Sequence, residues 1–358
     1  MTTEPATTPE VSAPAPARPA VDLDLEKIPE EQLLETRVSD LPLQIEGTWL
    51  EGRVSQLHAE LKARELLFEP RCYLADEWLT PEDEPEIGIP FWLAHPRLIA
   101  LEKKLMLEAE GSTPEWCMQL LRHECGHAIS YAFGLHKKPS WQRVFGSPKQ
   151  EYGDTYRFRP YSKSFVRHLP NYYAQYHPDE DFCETFAVWL TPGLDWRRDY
   201  AGWKALDKLL FVERLMKSLA GKRPAKPAGR KYWQAARIRS TLRKYYERRR
   251  HAEAESLPDF HDANLKRMFR EAAGKGETRP SVAKLIQAHR KHLLTSAAEW
   301  TGEGRYMANQ VIVAIHHRSK ALRLVSDDPE AVALLKLSTY VTTLLMNYRH
   351  TNRLRGRP

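Results

Sequence analysis

The sequence predicts an α+β domain followed by an all-α one, and three observations carry that expectation. Two strand-like runs, residues 71–78 and 87–93, stand among helical patterns in the first part of the chain. Residues 221–229 hold two Pro, two Gly and three Lys/Arg and read as a linker. Beyond them every apolar pattern has helical spacing. At about 100–200 residues per domain, a chain of 358 residues suits two domains plus tails.

The elements follow in order. Residues 1–30, rich in Pro, Ala and Thr, bury too little apolar surface to offset their ordering entropy and read as a disordered tail. The α+β domain spans 31–220. Leu50, Val54, Leu57 and Leu61 recur at helical spacing and predict a helix over 50–67, which Pro70 ends. The two strands follow, separated by an acidic, Pro-containing turn at 81–86. Ser112-Thr113-Pro114-Glu115 opens a helix with a hydroxyl cap, an early Pro and a Glu at the capping-box offset, and Gly134 stops it. Trp116, Met118, Leu120, Leu121, Ile129, Tyr131 and Phe133 surround that helix, so it is expected to be buried. Residues 135–178 read as long and irregular, which inside a compact domain points to function. A short helix over 179–190 ends at Pro192-Gly193, and another over 201–219 buries Trp203, Leu206, Leu210 and Leu215. Residues 230–358 read as a basic accessory bundle with helices near 231–255, 260–273, 280–298, 304–325 and 329–350.

Composition narrows the function. With 42% hydrophobic residues the chain can bury a real core. It has no run of about 18 apolar residues to span a membrane. Met1–Pro19 lacks the apolar stretch of a secretory signal. Cys72, Cys117, Cys125 and Cys183 make no CxxC pair, which excludes a disulfide scaffold or a cysteine zinc finger and suits a cytoplasmic setting. The net charge of +7 hides a gradient: residues 1–110 carry 10 Lys/Arg against 23 Asp/Glu, and residues 221–358 carry 29 against 12. Such asymmetry predicts separate partners for the two ends. The basic end, with Arg248-Arg249-Arg250 and Arg353, Arg355 and Arg357, keeps nucleic-acid binding as an alternative.

The chemistry concentrates in His123-Glu124-Cys125-Gly126-His127. Two His four apart lie about 40° apart around a helix, so both rings reach one point, and HExxH is a zinc-binding spacing. Glu124 sits on the same side, able to reach a water without ligating the metal. Buried His and Glu side chains are costly without a partner, and a metal supplies one. One zinc ion per chain is therefore expected. A third ligand is required, and Glu180 and Glu184 offer it from one face of the next helix. Cys183 also falls near the metal but reads as a small core residue. The expected reaction is hydrolysis of a peptide bond with Glu124 as general base. A non-catalytic zinc protein with a binding or regulatory role is the competing reading. The strand over 87–93 is a candidate for pairing with an extended substrate. Residues 137–167 hold eight Lys/Arg against two acids, which reads either as a solvated basic loop or as recognition of carboxylates on an acidic peptide or protein substrate, with Arg157 and Arg159 as candidate contacts.

HExxH, a long gap and a short helix with ExxxE together resemble the gluzincin metallopeptidases. The likeness is nearest to a bacterial family of zinc-binding metallopeptidases, through His123–His127 and through His177-Pro178-Asp179-Glu180-Asp181-Phe182 as far as Trp189-Leu190-Thr191-Pro192-Gly193. The second motif is also similar to the catalytic domain of anthrax lethal factor. The resemblance spans about residues 30–220 and implies a zincin-like fold there. It implies that Glu180 is the third ligand and that Glu184 bonds a ligating His. It also implies that a Tyr seven residues before the Glu ligand, Tyr173, steadies the oxyanion, with Tyr172 and Tyr176 as neighbouring rivals.

Overall fold

The computed structural model describes residues 23–152, 159, 161–252, 261–274 and 277–351. The chain is α+β and rich in helix. The first body contains α1 (Glu30–Glu35), α2 (Trp49–Ala63), β1 (Arg71–Ala75), β2 (Glu86–Pro90), α3 (Pro96–Met106), α4 (Pro114–Ala132), α5 (Pro139–Phe145), α6 (Pro178–Leu190), α7 (Trp196–Asp199), α8 (Ala205–Leu219) and α9 (Leu242–Ala252). The second contains α10 (Asp262–Met268), β3 (Arg270–Glu271), α11 (Val282–Thr301), α12 (Arg305–Ala321), β4 (Leu324–Val325) and α13 (Glu330–Thr351). Each body has its own apolar core, one running from Leu25 to Tyr246 and the other from Leu265 to Leu345. Among the described residues no helix is long and apolar enough to cross a membrane.

The core of the first body reaches further along the chain than the linker reading allows. Ala235, Leu242, Tyr245 and Tyr246 lie in the first core rather than in the helical bundle. Residues 229–252 are a strap across the sheet. The Gly229 amide donates to Glu86 at 2.7 Å, the Asp76 amide to the Trp233 carbonyl at 3.2 Å, and the Tyr245 hydroxyl to the Asp76 carbonyl at 2.9 Å. The spacing of Leu242, Tyr245 and Tyr246 is that of a buried helix face. Charge adds to it: Arg243 pairs with Glu31 at 2.6 Å, Arg249 with Glu102 at 2.8 Å and Lys226 with Glu84 at 2.6 Å. Part of the sequence's charge gradient is thus spent inside the first body. Arg249 also lies over the Trp92 ring at 4.8 Å, so it faces inward. Arg353, Arg355 and Arg357 lie outside the described residues.

The sheet is small. β1 and β2 run parallel, with Arg71 opposite Glu86 and Ala75 opposite Pro90. Beyond β1 the strap adds a bridge between Ala75 and Gln234. On the other side of β2, Leu79 exchanges backbone bonds with Gly88 at 2.8 and 3.3 Å. A Cβ at Gly88 would meet Leu79 Cδ2 at 2.5 Å, so glycine permits that approach. This closes the edge that residues 87–93 were expected to offer a substrate. β2 is buried at every position, and the last residues of the expected strand belong instead to a 3-10 helix, Phe91–Ala94.

Beneath the sheet, α4 begins as its sequence signature implies, with the Thr113 hydroxyl accepting from the Trp116 amide at 3.3 Å and Pro114 in the first turn. It is buried almost throughout. Arg122 grips Glu60 of α2 through two hydrogen bonds of 2.8 and 2.7 Å, and this buried fork fixes the rotation of α4. The stretch read as irregular after residue 135 contains two 3-10 turns, Leu135–Lys137 and Pro170–Gln175, and α5, whose Trp141 and Phe145 are buried against Phe182 of α6.

Candidate metal centre and active site

The two helices that carry the motifs lie in close contact, and Gly126 is the reason they can. A Cβ at Gly126 would stand 2.7 Å from the Cys183 Cα. Cys183 therefore packs against α4 and stays outside the group that can hold a metal. Gly126→Ala is expected to destabilise the fold. Overpacking against backbone costs about 1–3 kcal/mol, against the roughly 1 kcal/mol of helix propensity that Ala brings. A lower urea midpoint checks this, and an unchanged or higher one contradicts it.

α6 is positioned by its cap. His177 Nδ1 accepts from the Asp179 amide at 3.2 Å, while its Nε2 donates to the Gln150 carbonyl at 2.7 Å. The three acids of the first turn then diverge. Asp181 reaches Lys208 of α8 at 2.5 Å, with burial pushing its carboxyl up to about 7. Asp179 borders one of two cavities that meet beside α4, and Glu180 points at α4.

Glu180 Oε2 lies 3.0 Å from His123 Nε2 and 3.3 Å from His127 Nε2. The donor atoms of His123, His127 and Glu180 all fall within 4.8 Å of one another, and all three residues are buried. This is a group that can hold a metal ion. Glu184 stands behind it: its Oε1 is 2.8 Å from His123 Nδ1, and its Oε2 accepts from the Leu169 amide at 2.8 Å. Glu184 thus fixes the His123 ring with Nε2 turned towards Glu180.

The electrostatics favour positive charge at this point. Burial opposes a charged imidazole at His123, but hydrogen bonds to Glu180 and Glu184 outweigh it and hold its pKa well above the ordinary value. At His127 burial is likewise outweighed, by the charge of Glu180. Burial pushes the Glu180 carboxyl up, and the charges and hydrogen bonds of His127 and His123 pull it far below the usual range. Two buried nitrogens and a carboxylate converging on one point fit a divalent cation.

Glu124 is buried, and its Oε2 accepts from the Thr80 hydroxyl at 2.8 Å. It borders the cavity beside the histidines without joining the ligand group. The Tyr173 ring lies 5.5 Å from His123, and burial first, then the charge of Glu180, raises its hydroxyl pKa. Two contacts escaped the sequence reading. Tyr152 donates to Glu180 Oε1 at 3.1 Å and stacks on His177 at 3.8 Å. Thr80 follows a strand in an acidic loop, where a hydroxyl residue carries no signal. Tyr152 sits in the basic stretch, where nothing distinguishes it from its aromatic neighbours.

Arg157 lies outside the described residues. Arg159 is exposed, bonds Gln175 through its backbone at 2.8 Å, and borders neither cavity at the site. Of the described bases of 137–167, only Lys149 reaches the cleft beside the metal group, against Glu82, Glu151 and Asp179.

No protein-family model, no curated protein and no solved structure matches this chain.

The bond from Glu184 makes a specific demand on metal affinity. Glu184→Ala frees the His123 ring and is expected to weaken divalent-metal binding by about 10–100-fold, the usual cost of losing such a support. Competition with a fluorescent chelator measures it. An unchanged affinity would remove Glu184 from the site.

Proposed function

We propose that this chain is a zinc-dependent peptidase with a zincin-like catalytic body and one zinc ion held by His123, His127 and Glu180. The observation that carries the reading is the convergence of the His123, His127 and Glu180 donors beside a separate buried carboxylate, Glu124. Two imidazoles and one carboxylate form the ligand set of a catalytic zinc site that leaves a coordination position open. Zinc bound there supplies a Lewis acid for a carbonyl and for water.

The chain's own groups do the rest. Glu124 takes a proton from the attacking water at a carboxylate oxygen and returns it to the leaving amine. The Thr80 hydroxyl holds Oε2, so the side chain keeps one orientation through both transfers. Tyr152 occupies Glu180 Oε1 and leaves Oε2 to face the histidines. Tyr173 is the donor for the developing oxyanion. Leu79 pairs with Gly88 through its backbone, and Trp78, Leu79 and Thr80 all border the cleft beside the metal group. That segment, in place of β2, is the edge for an extended peptide.

The test is metal-dependent hydrolysis. A metal-stripped chain is expected to leave a peptide library intact, and about one equivalent of zinc is expected to restore cleavage. A zinc-loaded chain that cuts nothing sinks the reading.

A further inference from the structure

Two cavities meet at the candidate active site. One of about 770 Å³ follows the C-terminal half of α4, bordered by His127 and Tyr131. The other, of about 670 Å³, follows the N-terminal half, bordered by Trp116 and Leu120. Trp78, His123, Glu124 and Tyr173 border both. Trp116, Leu120, His123, His127 and Tyr131 recur at helical spacing, so the cleft follows one stripe of α4. The fifteen residue steps from Trp116 to Tyr131 span about 22 Å of helix, which an extended peptide crosses in roughly six or seven residues. His123 and Glu124 stand in the middle, with space on either side. A site that trims chain ends closes one side; this one leaves room for a chain to pass through.

The second cavity has a wall from each body. The first body supplies Glu108 and Glu110, and the second supplies Glu299 from the last turn of α11, Glu303 from the turn that follows and Arg305 at the start of α12. Arg305 draws Glu108, and Glu303 lies 3.6 Å from Arg349. Among the described residues neither Glu110 nor Glu299 forms an ion pair. Glu110 sits exposed at the rim, yet the surrounding protein and the charges of Glu108 and Glu124 push its carboxyl up to about 7. Trp78 and Trp116 give the same cavity two aromatic surfaces suited to an aliphatic stem or a guanidinium. Glu124 borders both cavities, so this space opens directly onto the reacting end of the cleft, while the acids not already committed to the chemistry or to an ion pair are Glu110 and Glu299.

We propose that this cavity, built jointly by the catalytic and helical bodies, is the subsite for a lysine or arginine side chain of a peptide cleaved internally. The cleavage part of the proposal rests on the peptidase reading; the binding part does not. The helical body then has a defined task, to supply the outer wall that selects the substrate. The cation preference is opposite to the acidic substrate expected from residues 137–167.

The test is binding of end-blocked peptides to the full-length, zinc-loaded Glu124→Gln chain, read by fluorescence anisotropy. The peptides are identical except for Lys, norleucine or Glu at one position, which is moved along the sequence. At one register the Lys peptide is expected to bind about tenfold tighter than the norleucine peptide, and the Glu peptide weakest; tenfold is about 1.4 kcal/mol. Glu110→Gln/Glu299→Gln is expected to erase that preference and leave the norleucine peptide unaffected, and Glu110→Lys to favour the Glu peptide. Equal binding, no binding, tightest binding of the Glu peptide, or a Lys preference that survives the double substitution overturns the proposal. If the preference holds but the zinc-loaded wild type does not cut the Lys peptide, the subsite stands and the peptidase reading falls.

Discussion

Glu124→Gln is expected to keep the fold and a full complement of zinc while losing turnover by at least about 10²–10⁴-fold, the usual worth of a positioned general base. The substitution is nearly isosteric, and the Gln oxygen can still accept from Thr80, which lies 2.8 Å from Glu124 Oε2. What the amide cannot do is accept the proton of the attacking water. Because Glu124 lies outside the ligand group, metal content is the control that separates lost chemistry from lost structure. Near-normal hydrolysis by a clean preparation would remove Glu124 from the mechanism. Equal loss of zinc and activity would make it a structural residue.

The second large effect is on the metal. Glu180→Ala removes the only carboxylate of the group that can hold an ion, and His123→Ala removes a nitrogen that Glu184 holds in place. Each is expected to weaken zinc binding by more than the roughly 10–100-fold assigned to the loss of Glu184, with stoichiometry by elemental analysis falling well below one per chain. Glu180→Ala also leaves two imidazoles, which repel when charged, 5.2 Å apart between ring centroids. Affinity in the wild type is expected to fall with falling pH, because protons compete for the same nitrogens. Full zinc retention in Glu180→Ala combined with its loss in Glu184→Ala would exchange the roles of the two acids.

The parts of this site that lie on single helices were legible in the sequence. His123, Glu124 and His127 share a face by spacing alone, and Glu180 and Glu184 share another. Local periodicity contains that information because a helix converts position directly into direction. The parts that depend on distant chain segments were not legible. Thr80 meets Glu124 from 44 residues away, and Tyr152 meets Glu180 from 28. Neither has a neighbour in sequence that predicts the contact. Residues 221–229 carry the composition of a linker, and nothing local shows that the following segment returns to the sheet through Gly229 and Trp233. The helix expected over 231–255 was assigned to the basic bundle, and nothing local shows that Leu242, Tyr245 and Tyr246 are buried in the first core instead. The cavity wall from Glu299 to Arg305 is harder still, since it depends on how two separate cores meet.

The most direct measurement is the fate of peptides incubated with the zinc-loaded chain in water enriched in ¹⁸O, read by mass spectrometry. The account predicts new internal cleavage products whose new carboxyl terminus carries one ¹⁸O, formed by the wild type and absent with Glu124→Gln. Intact peptides from a wild type that holds its zinc, or equal cleavage by both proteins, would contradict it.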